Sequence, residues 1–403
     1  MSLTEIPIDI YDPDGYVAGP PHEVFTELRR THPVYWQDMP DSPGYWAVLR
    51  HADVVTVARE PLLFSASTGG VILEDLDDRR LTGMQGMLLA MDPPRHVVFR
   101  RPVAPTFKKK VIDQLEGNVR AICREIMARA ADKSDVEFVH DVTSGLPSRV
   151  VGQIMGLPVE DLEYIHHLAE QLTTSQDSDY VKIDDDPDAA SFAMAAYAVA
   201  FATRRRAEEP REDLTTLVLQ TDFGGAPMTD GEFANFFVQL VTAGNDTTKT
   251  MLSSGLAALL AHPGQLAELR ADYEAIPGAV EEILRWANPL HYFRRTATDD
   301  VELNGAEIKA GDKVAMYYTS ANRDEAVFED SQAFDIHRKP NPHLSFGIAE
   351  HFCLGVHLAR LEGRVFFEEL LSTFPRIEQT GDAVRARSNL NNALKALPVR
   401  LGR

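Results

Sequence analysis

One stretch of the chain, from Thr229 to His262, constrains the fold more than any other. It opens with Thr229-Asp230-Gly231-Glu232, which has the form of a capping box, and it stops at His262-Pro263. Apolar residues between these ends keep helical spacing at Phe233, Phe236, Phe237, Leu240, Val241, Met251, Leu252, Leu256, Leu259 and Leu260. A long helix that is apolar on most of its circumference runs through a protein core. The sequence therefore predicts a mainly helical protein built around this helix.

Short strand patterns accompany the helices. Residues 34–36 and 45–49 resemble two strands, residues 301–303 and 306–308 form a hairpin around Asn304-Gly305, and residues 314–318 add a strand. Residues 67–90, rich in glycine and acidic side chains, suggest a mobile loop. We predict one mainly α domain over residues 1–403 with small β-sheets, whose β-containing parts lie at about 30–50, 295–320 and 380–403.

Composition excludes several classes of partner. The net charge of -21 disfavours binding to nucleic acid, and no run approaches the roughly 20 apolar residues of a membrane anchor. Two cysteines, Cys123 and Cys353, cannot form a disulfide framework, so a cytoplasmic location is expected.

Cys353 lies in the segment FGIAEHFCLG at 346–355, a glycine-flanked loop at a helix start. A thiolate presented in this way suits the axial ligation of a haem iron, and the positive helix N-terminus favours the ionised form. Taken alone, the cysteine is equally compatible with a small buried apolar residue.

The segment AGNDTT at 243–248 interrupts the long core helix with a glycine, which costs about 1 kcal/mol in a helix interior. One interpretation is that Thr247 or Thr248 bonds back to a carbonyl one turn earlier. The other is an oxygen-binding groove, in which Gly244 admits a diatomic ligand and the Asp246-Thr247 pair delivers protons.

Charged residues form two further patterns. Glu282 and Arg285 lie three apart on a predicted helix, either as a surface pair or, with Arg338, as a buried clasp in which two guanidiniums share one carboxylate. His96 and Arg100 share a helix face whose start Asp92 caps, and with Arg295 and His351 they could surround the two propionates of a haem. Each of these cations could also be an ordinary surface residue.

These motifs, in this order, resemble the cytochrome P-450 family of haem-thiolate monooxygenases over nearly the whole chain. The cysteine loop matches at Phe346, Gly347, His351, Cys353, Leu354 and Gly355. The oxygen-activating motif matches at Ala243, Gly244, Asp246 and Thr247. The clasp matches at Glu282, Arg285 and Arg338, and the propionate ligands at His96, Arg100, Arg295 and His351. The resemblance implies a mainly α fold with small β-sheets, in which the haem lies between the long core helix and the helix after the cysteine.

One residue departs from the family pattern. The position four before Cys353 is usually glycine, but here it is Ala349. Either the turn is rebuilt, or alanine adopts a positive φ at a cost of about 1 kcal/mol or more.

The resemblance also implies an activity. Haem b (iron protoporphyrin IX), with Cys353 as the metal ligand, uses O2 to hydroxylate a hydrophobic small molecule, such as a sterol, terpene, fatty acid or polyketide-like compound. The chain has no dinucleotide motif, so electrons are expected from an acidic ferredoxin-type partner and its reductase. A basic cluster could dock this partner or be a solvated helix face; it comprises Arg100, Arg101, Lys108, Lys109 and Lys110, extended by Arg360 and Arg364.

Candidate pocket residues come from apolar segments. They are Val71, Leu89, Val241, Leu290, Phe293 and Leu390, each of which could also be core packing. Two alternatives to the monooxygenase remain: a haem-thiolate peroxygenase and a non-catalytic haem protein that binds a ligand.

Overall fold

The computed structural model describes residues 8–40, 42–133, 135–173, 176–177 and 188–402. Helices dominate these ranges, which agrees with the predicted fold class. The α-helices are α1 His22–Thr31, α2 His51–Arg59, α3 Asp78–Gln85, α4 Arg95–Val103, α5 Lys109–Ile112, α6 Glu116–Ala131, α7 Gly145–Met155, α8 Leu162–Thr173, α9 Ala189–Arg206, α10 Leu214–Gln220, α11 Asp230–Ala261, α12 Pro263–Ala271, α13 Ile276–Trp286, α14 Tyr318–Ala321 and α15 Val356–Thr373. The strands are β1 Val34–Met39, β2 Ser42–Val48, β3 Phe64–Ser65, β4 Asp135–Glu137, β5 Tyr292–Ala297, β6 Val301–Leu303, β7 Ala306–Ile308, β8 Lys313–Tyr317, β9 Arg376–Gln379, β10 Val384–Arg385, β11 Leu394–Ala396 and β12 Pro398–Gly402.

Helix α11 is the predicted core helix, and its start is confirmed as a capping box. The Glu232 amide donates to Thr229 Oγ1 over 3.2 Å, while the Thr229 amide donates to the Glu232 carboxylate over 3.0 Å. The helix packs against α7, α8 and α9 on one side and α13 and α15 on another. Most of its apolar side chains belong to the largest hydrophobic core of the protein. Helix α11 is therefore the common packing partner of five of the helices near the site described below, namely α7, α8, α9, α13 and α15.

The principal sheet joins distant parts of the chain in the order β1-β2-β8-β5-β3. Strands β1 and β2 form the predicted hairpin, and β2 pairs in parallel with β8, more than 260 residues later, through Tyr45 opposite Lys313. The predicted hairpin β6–β7 is also confirmed. Its turn residues Asn304 and Gly305 both have positive φ, 50° and 79°, as a two-residue hairpin turn requires.

The segment 67–90 differs from its prediction as a loop, because it contains α3. The side chain of Asp77 caps this helix by accepting a hydrogen bond from the Arg80 amide over 2.9 Å. A local cap of this kind offsets the cost of Gly83 within the helix. Two of the acidic residues that suggested a loop, Asp77 and Asp78, lie at the start of this helix.

None of the helices in the described ranges combines the length and the apolarity that crossing a membrane requires.

Candidate active site

The loop that carries Cys353 is shaped by two left-handed residues. Gly347 has a φ of 66° and Ala349 a φ of 60°, so alanine holds the conformation that glycine would adopt without strain. The Cys353 amide donates to the Phe346 carbonyl over 2.8 Å, and the Phe352 amide donates to the Ala349 carbonyl over 3.1 Å. The turn is therefore kept rather than rebuilt, and Ala349 bears the strain.

The thiol of Cys353 lies half-buried where the loop meets α15. Burial raises the pKa of this thiol, and the Gly355 amide together with the Arg100 and Arg360 guanidiniums acts in the opposite direction. An N–H group and two cations thus lie where they favour a thiolate over a thiol.

A cavity that encloses about 1710 Å³ of empty space, its opening included, lies between this loop and α11. It brings together residues predicted from four separate motifs. The predicted residues that line it are Leu89, His96, Arg100, Ala243, Gly244, Thr247, Leu290, Phe293, Arg295, Phe346, His351, Cys353 and Gly355. Cys353 and the glycine-threonine face of α11 therefore border the same space.

Three predicted pocket residues lie outside the lining of this cavity. Val71 packs beside Ala66 and Ala90 in a small core cluster. Val241 instead lines a separate small pocket between α11, α7 and α8. Leu390 packs beside the core cluster of the sheet, and its carbonyl accepts a hydrogen bond from the His291 amide. The apolar character of a residue in the sequence therefore does not distinguish residues that line the cavity from residues that pack in the core.

Asp246 also lies off the cavity, on a buried side of α11. Its carboxylate forms an ion pair with Lys249, one turn later, at 2.9 Å, and Lys249 also reaches Glu170 of α8 at 2.9 Å. Burial raises the pKa of Asp246, although Lys249 opposes this shift. The resulting carboxyl can exchange a proton closer to neutral pH than an exposed aspartate does.

The AGNDTT segment makes the back-bond predicted for it and also borders the cavity. The Thr247 hydroxyl donates to the Ala243 carbonyl over 2.7 Å, which is the back-bond of the first interpretation. Thr247 and Gly244 nevertheless line the cavity. A Cβ on residue 244 would lie 2.6 Å from the Val151 side chain, so Gly244 is also required for the close packing of α7 on α11.

Two arginines and two histidines meet at one side of the cavity. The rings of His96 and His351 lie with their centroids 4.5 Å apart, and the Nε2 atom of each is buried without a hydrogen-bond partner among the described residues. Arg100 donates to the Phe352 carbonyl and Arg295 to the Arg294 carbonyl. Burial and the neighbouring guanidiniums lower the pKa of His96 to about 4.

Neither Arg100 nor Arg295 forms an ion pair within the described ranges, so this cluster lacks the carboxylates that buried cations require. A ligand that carries carboxylates and a metal ion fits this site, because the carboxylates can pair with the guanidiniums and the metal can bind the Cys353 thiolate. The two propionates and the iron of a haem provide these groups, so the residues present fit a haem.

The expected cap of α4 is wrong in one respect. Asp92 does not cap the helix, since its carboxylate accepts hydrogen bonds from the Ser65 hydroxyl and, over 2.8 Å, from the Ala66 amide. Pro94 occupies the N-cap position. Asp92 instead ties the helix that carries His96 and Arg100 to β3, because the carboxylate finds fixed donors there.

Comparison with known proteins identifies the family. Residues 188–399 match the family model described as Cytochrome P450. The chain is 35% identical over 385 residues to a steroid C26-monooxygenase of Mycolicibacterium smegmatis, covering 93% of this chain and 89% of the relative. It is 36% identical over 387 residues to a methyl-branched lipid omega-hydroxylase of Mycobacterium bovis, covering 93% and 90%. A cytochrome P450 of Mycobacterium marinum, solved in complex with pseudoionone, superposes with a TM-score of 0.91 at 36% identity, covering 98% of each chain.

The chain belongs to the cytochrome P450 family.

The clasp of this cytochrome P450 is buried and complete. Glu282 accepts from Arg285 Nη2 over 2.7 Å and from Arg285 Nε over 2.8 Å, and Arg338 Nε lies 3.2 Å away. The Asp335 amide adds a fourth donor, and Arg285 donates its remaining hydrogens to the carbonyls of Asn322, Ser331 and Ala333. Both Glu282 and Arg285 are almost fully buried. The geometry is a shared buried carboxylate and not a surface pair.

The residues of the basic cluster differ in whether they form ion pairs. Arg360 binds both carboxylate oxygens of Glu281 at 2.7 Å, and Lys109 pairs with Asp113 at 2.8 Å. Arg364 pairs with Glu116 and Glu368. Arg101, Lys108 and Lys110 are exposed and have no ion-pair partner among the described residues. These three residues are the cations available to a partner on this surface.

Glu362 is a residue of the P450 cavity that the sequence interpretation missed. It lies on α15, lines the cavity and is almost fully buried. Burial raises the pKa of its carboxyl to about 8, while the Thr248 hydroxyl, 3.5 Å away, opposes the shift. One signal was present in the sequence: Glu362 occupies a position flanked by Leu358, Leu361 and Val365 on the apolar face of a helix.

Proposed function

We propose that this cytochrome P450 monooxygenase binds haem b and hydroxylates a hydrophobic small molecule with O2 and electrons from a ferredoxin-type partner. The observation that carries the proposal is the single cavity that Cys353 borders on one side and Gly244 and Thr247 border on the other, with His96, Arg100, Arg295 and His351 at its edge. The free thiols of Cys123 and Cys353 are consistent with a cytoplasmic location.

The residues that line the cavity have different roles in this proposal. The Cys353 thiolate would ligate the iron, and the guanidiniums of Arg100 and Arg295 with the rings of His96 and His351 would hold the propionates. When bound, a thiolate-ligated haem supplies the activation of dioxygen for insertion into a C–H bond. Leu89, Leu290 and Phe293 exclude water and bind an apolar substrate. The relatives act, by name, on steroids and methyl-branched lipids, which supports a sterol, terpene, fatty acid or polyketide-like substrate.

Proton delivery is assigned to Thr247 and Asp246. The Thr247 hydroxyl is at the cavity wall, and the adjacent Asp246 carries a buried carboxyl with a raised pKa. Lys249 and Glu170 hold that carboxyl on the side of α11 away from substrate. The cavity would thus receive protons through one hydroxyl, while Asp246, Lys249 and Glu170 stay outside its lining.

The first test is the spectrum of the reduced carbonyl complex. The thiolate-type Soret band should be present in the wild type and absent from Cys353→Ala. Cys123→Ala is the matched control, because it removes the other cysteine and should keep the band. A missing band in the wild type, or its survival in Cys353→Ala, contradicts the proposal.

The second test concerns proton delivery. Thr247→Ala should keep haem and substrate binding but divert electrons into peroxide. Thr242→Ala is the matched control, because Thr242 makes the same back-bond, to the Val238 carbonyl over 2.6 Å, without lining the cavity. Equal coupling in the two variants rejects the role given to Thr247. Turnover with peroxide alone would favour a peroxygenase, and no substrate-dependent oxygen uptake with any donor would favour a non-catalytic haem protein.

The third test concerns the electron donor. Lys108→Glu with Lys110→Glu should raise the KM for an acidic ferredoxin at low ionic strength and reduce its salt dependence. Lys309→Glu, directly after β7, is the control and should change neither quantity. Equal effects of the two changes would contradict docking at Arg101, Lys108 and Lys110.

A further inference from the structure

Among the described residues, the cavity wall contains one uncharged amide that has no hydrogen-bond partner. Gln239 of α11 lines the cavity, its Oε1 atom is buried without a hydrogen-bond partner, and neither atom of its amide bonds to a described residue. The other polar side chains that α11 presents to the cavity are occupied: Thr247 donates to the Ala243 carbonyl and Thr248 to Glu362. Gln239 is therefore the free hydrogen-bonding group on this wall.

The apolar surroundings of Gln239 make an unpaired amide there unfavourable in free energy. Phe236 and Leu240 flank it on the same helix, and Leu88, Leu89 and Ile154 contribute to the same cavity. An unsatisfied polar group in such a place costs about 1–3 kcal/mol, whereas leucine would cost nothing. A glutamine here is explained when a ligand completes its hydrogen bonds.

The position of Gln239 on α11 also determines how far its amide lies from Gly244. It lies five residues before Gly244, which is about 7.5 Å along the helix axis. A helical side chain leans toward the N-terminus, so its amide reaches up to about 12 Å from Gly244 along that axis. A group bound by Gln239 is thus held a short, fixed distance from the oxygen site proposed at Gly244.

We infer that Gln239 is a specificity-determining residue that hydrogen-bonds one oxygen function of an otherwise apolar substrate. The oxygen function is a hydroxyl or a carbonyl, since the amide can both accept and donate. It lies within about 7–12 Å of the carbon that is oxidised. This inference rests on the proposed function and narrows the substrate class to mono-oxygenated hydrocarbons.

The test compares 1-decanol with decane, a pair that differs in one hydroxyl. Dissociation constants are measured by the low-to-high spin shift of the haem-loaded protein. The wild type should bind the alcohol more than fivefold more tightly and hydroxylate it at one or two neighbouring carbons in the far half of the chain. Gln239→Leu should bind the two ligands within a factor of two and spread the hydroxylation along the chain.

Controls make each outcome decisive. Asn235→Leu removes an amide one turn earlier, outside the cavity lining, and should keep the preference for the alcohol. Gln239→Met repeats the test with an unbranched side chain in case leucine disturbs folding. A wild-type preference below fivefold, or one that persists in both Gln239 variants, overturns the inference while the spin shifts still support a monooxygenase. No spin shift with either ligand, together with a missing thiolate Soret band in the wild type, overturns the proposed function itself.

Discussion

Two buried charge clusters of this P450 differ in how their charges are compensated. In the clasp, Glu282 lies between Arg285 and Arg338, and the protein itself supplies every partner. At the cavity, Arg100 and Arg295 have no ion-pair partner among the described residues, and two histidine nitrogens are unbonded. A self-compensated cluster stabilises the fold, whereas an uncompensated one indicates where a ligand of opposite charge binds. Substitutions that separate an effect on folding stability from an effect on ligand binding test this difference.

The largest effect is expected from Glu282→Ala. The change leaves two guanidiniums buried without their carboxylate, which should cost about 3–5 kcal/mol of unfolding free energy. Urea unfolding followed by circular dichroism measures the loss. Glu27→Ala is the control, because Glu27 pairs with the exposed Arg30 one turn later on α1 and should cost about 1 kcal/mol or less. Similar losses in both variants would remove the distinction between the clasp and a surface pair.

Arg295→Leu should behave in the opposite way. Removing a buried cation that has no carboxylate partner should leave the stability of the haem-free protein unchanged or raise it. The same change should weaken haem retention by about 1.5–3 kcal/mol, the value of hydrogen bonds to charged groups. Transfer of haem to an acceptor protein measures retention, with Arg294→Leu as the neighbouring control. A loss of haem-free stability as large as that of Glu282→Ala would show that the cavity cluster is structural.

Glu362→Gln extends the comparison to a buried carboxyl that forms no ion pair within the part of the chain that the structure describes. The pKa of Glu362 is raised to about 8 by burial, so the folded state holds its proton more tightly than the unfolded state does. The stability contributed by this proton is complete below a pH of about 4.5. It is lost by about 1.4 kcal/mol for each pH unit as the pH rises to about 8. Urea midpoints across this range should fall less steeply in the variant, and parallel curves would contradict the raised pKa.

The smallest effect is expected from Ala349→Gly in the loop that borders the uncompensated cluster. Glycine relieves the positive φ of 60° but adds freedom to the unfolded chain, for a net gain of about 0.5–1 kcal/mol. Ala267→Gly, at an exposed position of α12, should lose a similar amount, because the backbone there is helical. Thermal unfolding of the two variants should therefore shift in opposite directions.

The sequence predicted features that depend on local chemistry. The capping box of Thr229 and the turn at Asn304-Gly305 follow from residue types at short spacings, whereas the buried clasp with Arg338 was favoured over a surface pair only by the family resemblance. It did not predict which apolar residues face the cavity. Val241 and Leu240 are adjacent and similar, and only the rotation of α11 separates them. It also missed Lys249 and Glu362, since the burial of a charge depends on elements packed from elsewhere in the chain.

The cavity has a consequence for how the protein is made. Its walls come from segments as far apart in the sequence as Leu88 and Glu362. Strand β2 cannot form its parallel pairing until β8 has been synthesised. Synthesis proceeds at about 5–20 residues per second, so Arg100 leaves the ribosome on the order of tens of seconds before Cys353. During that interval the apolar face of α11 lacks its final cover from α13 and α15. The nascent chain should therefore depend on chaperones until its last quarter is synthesised.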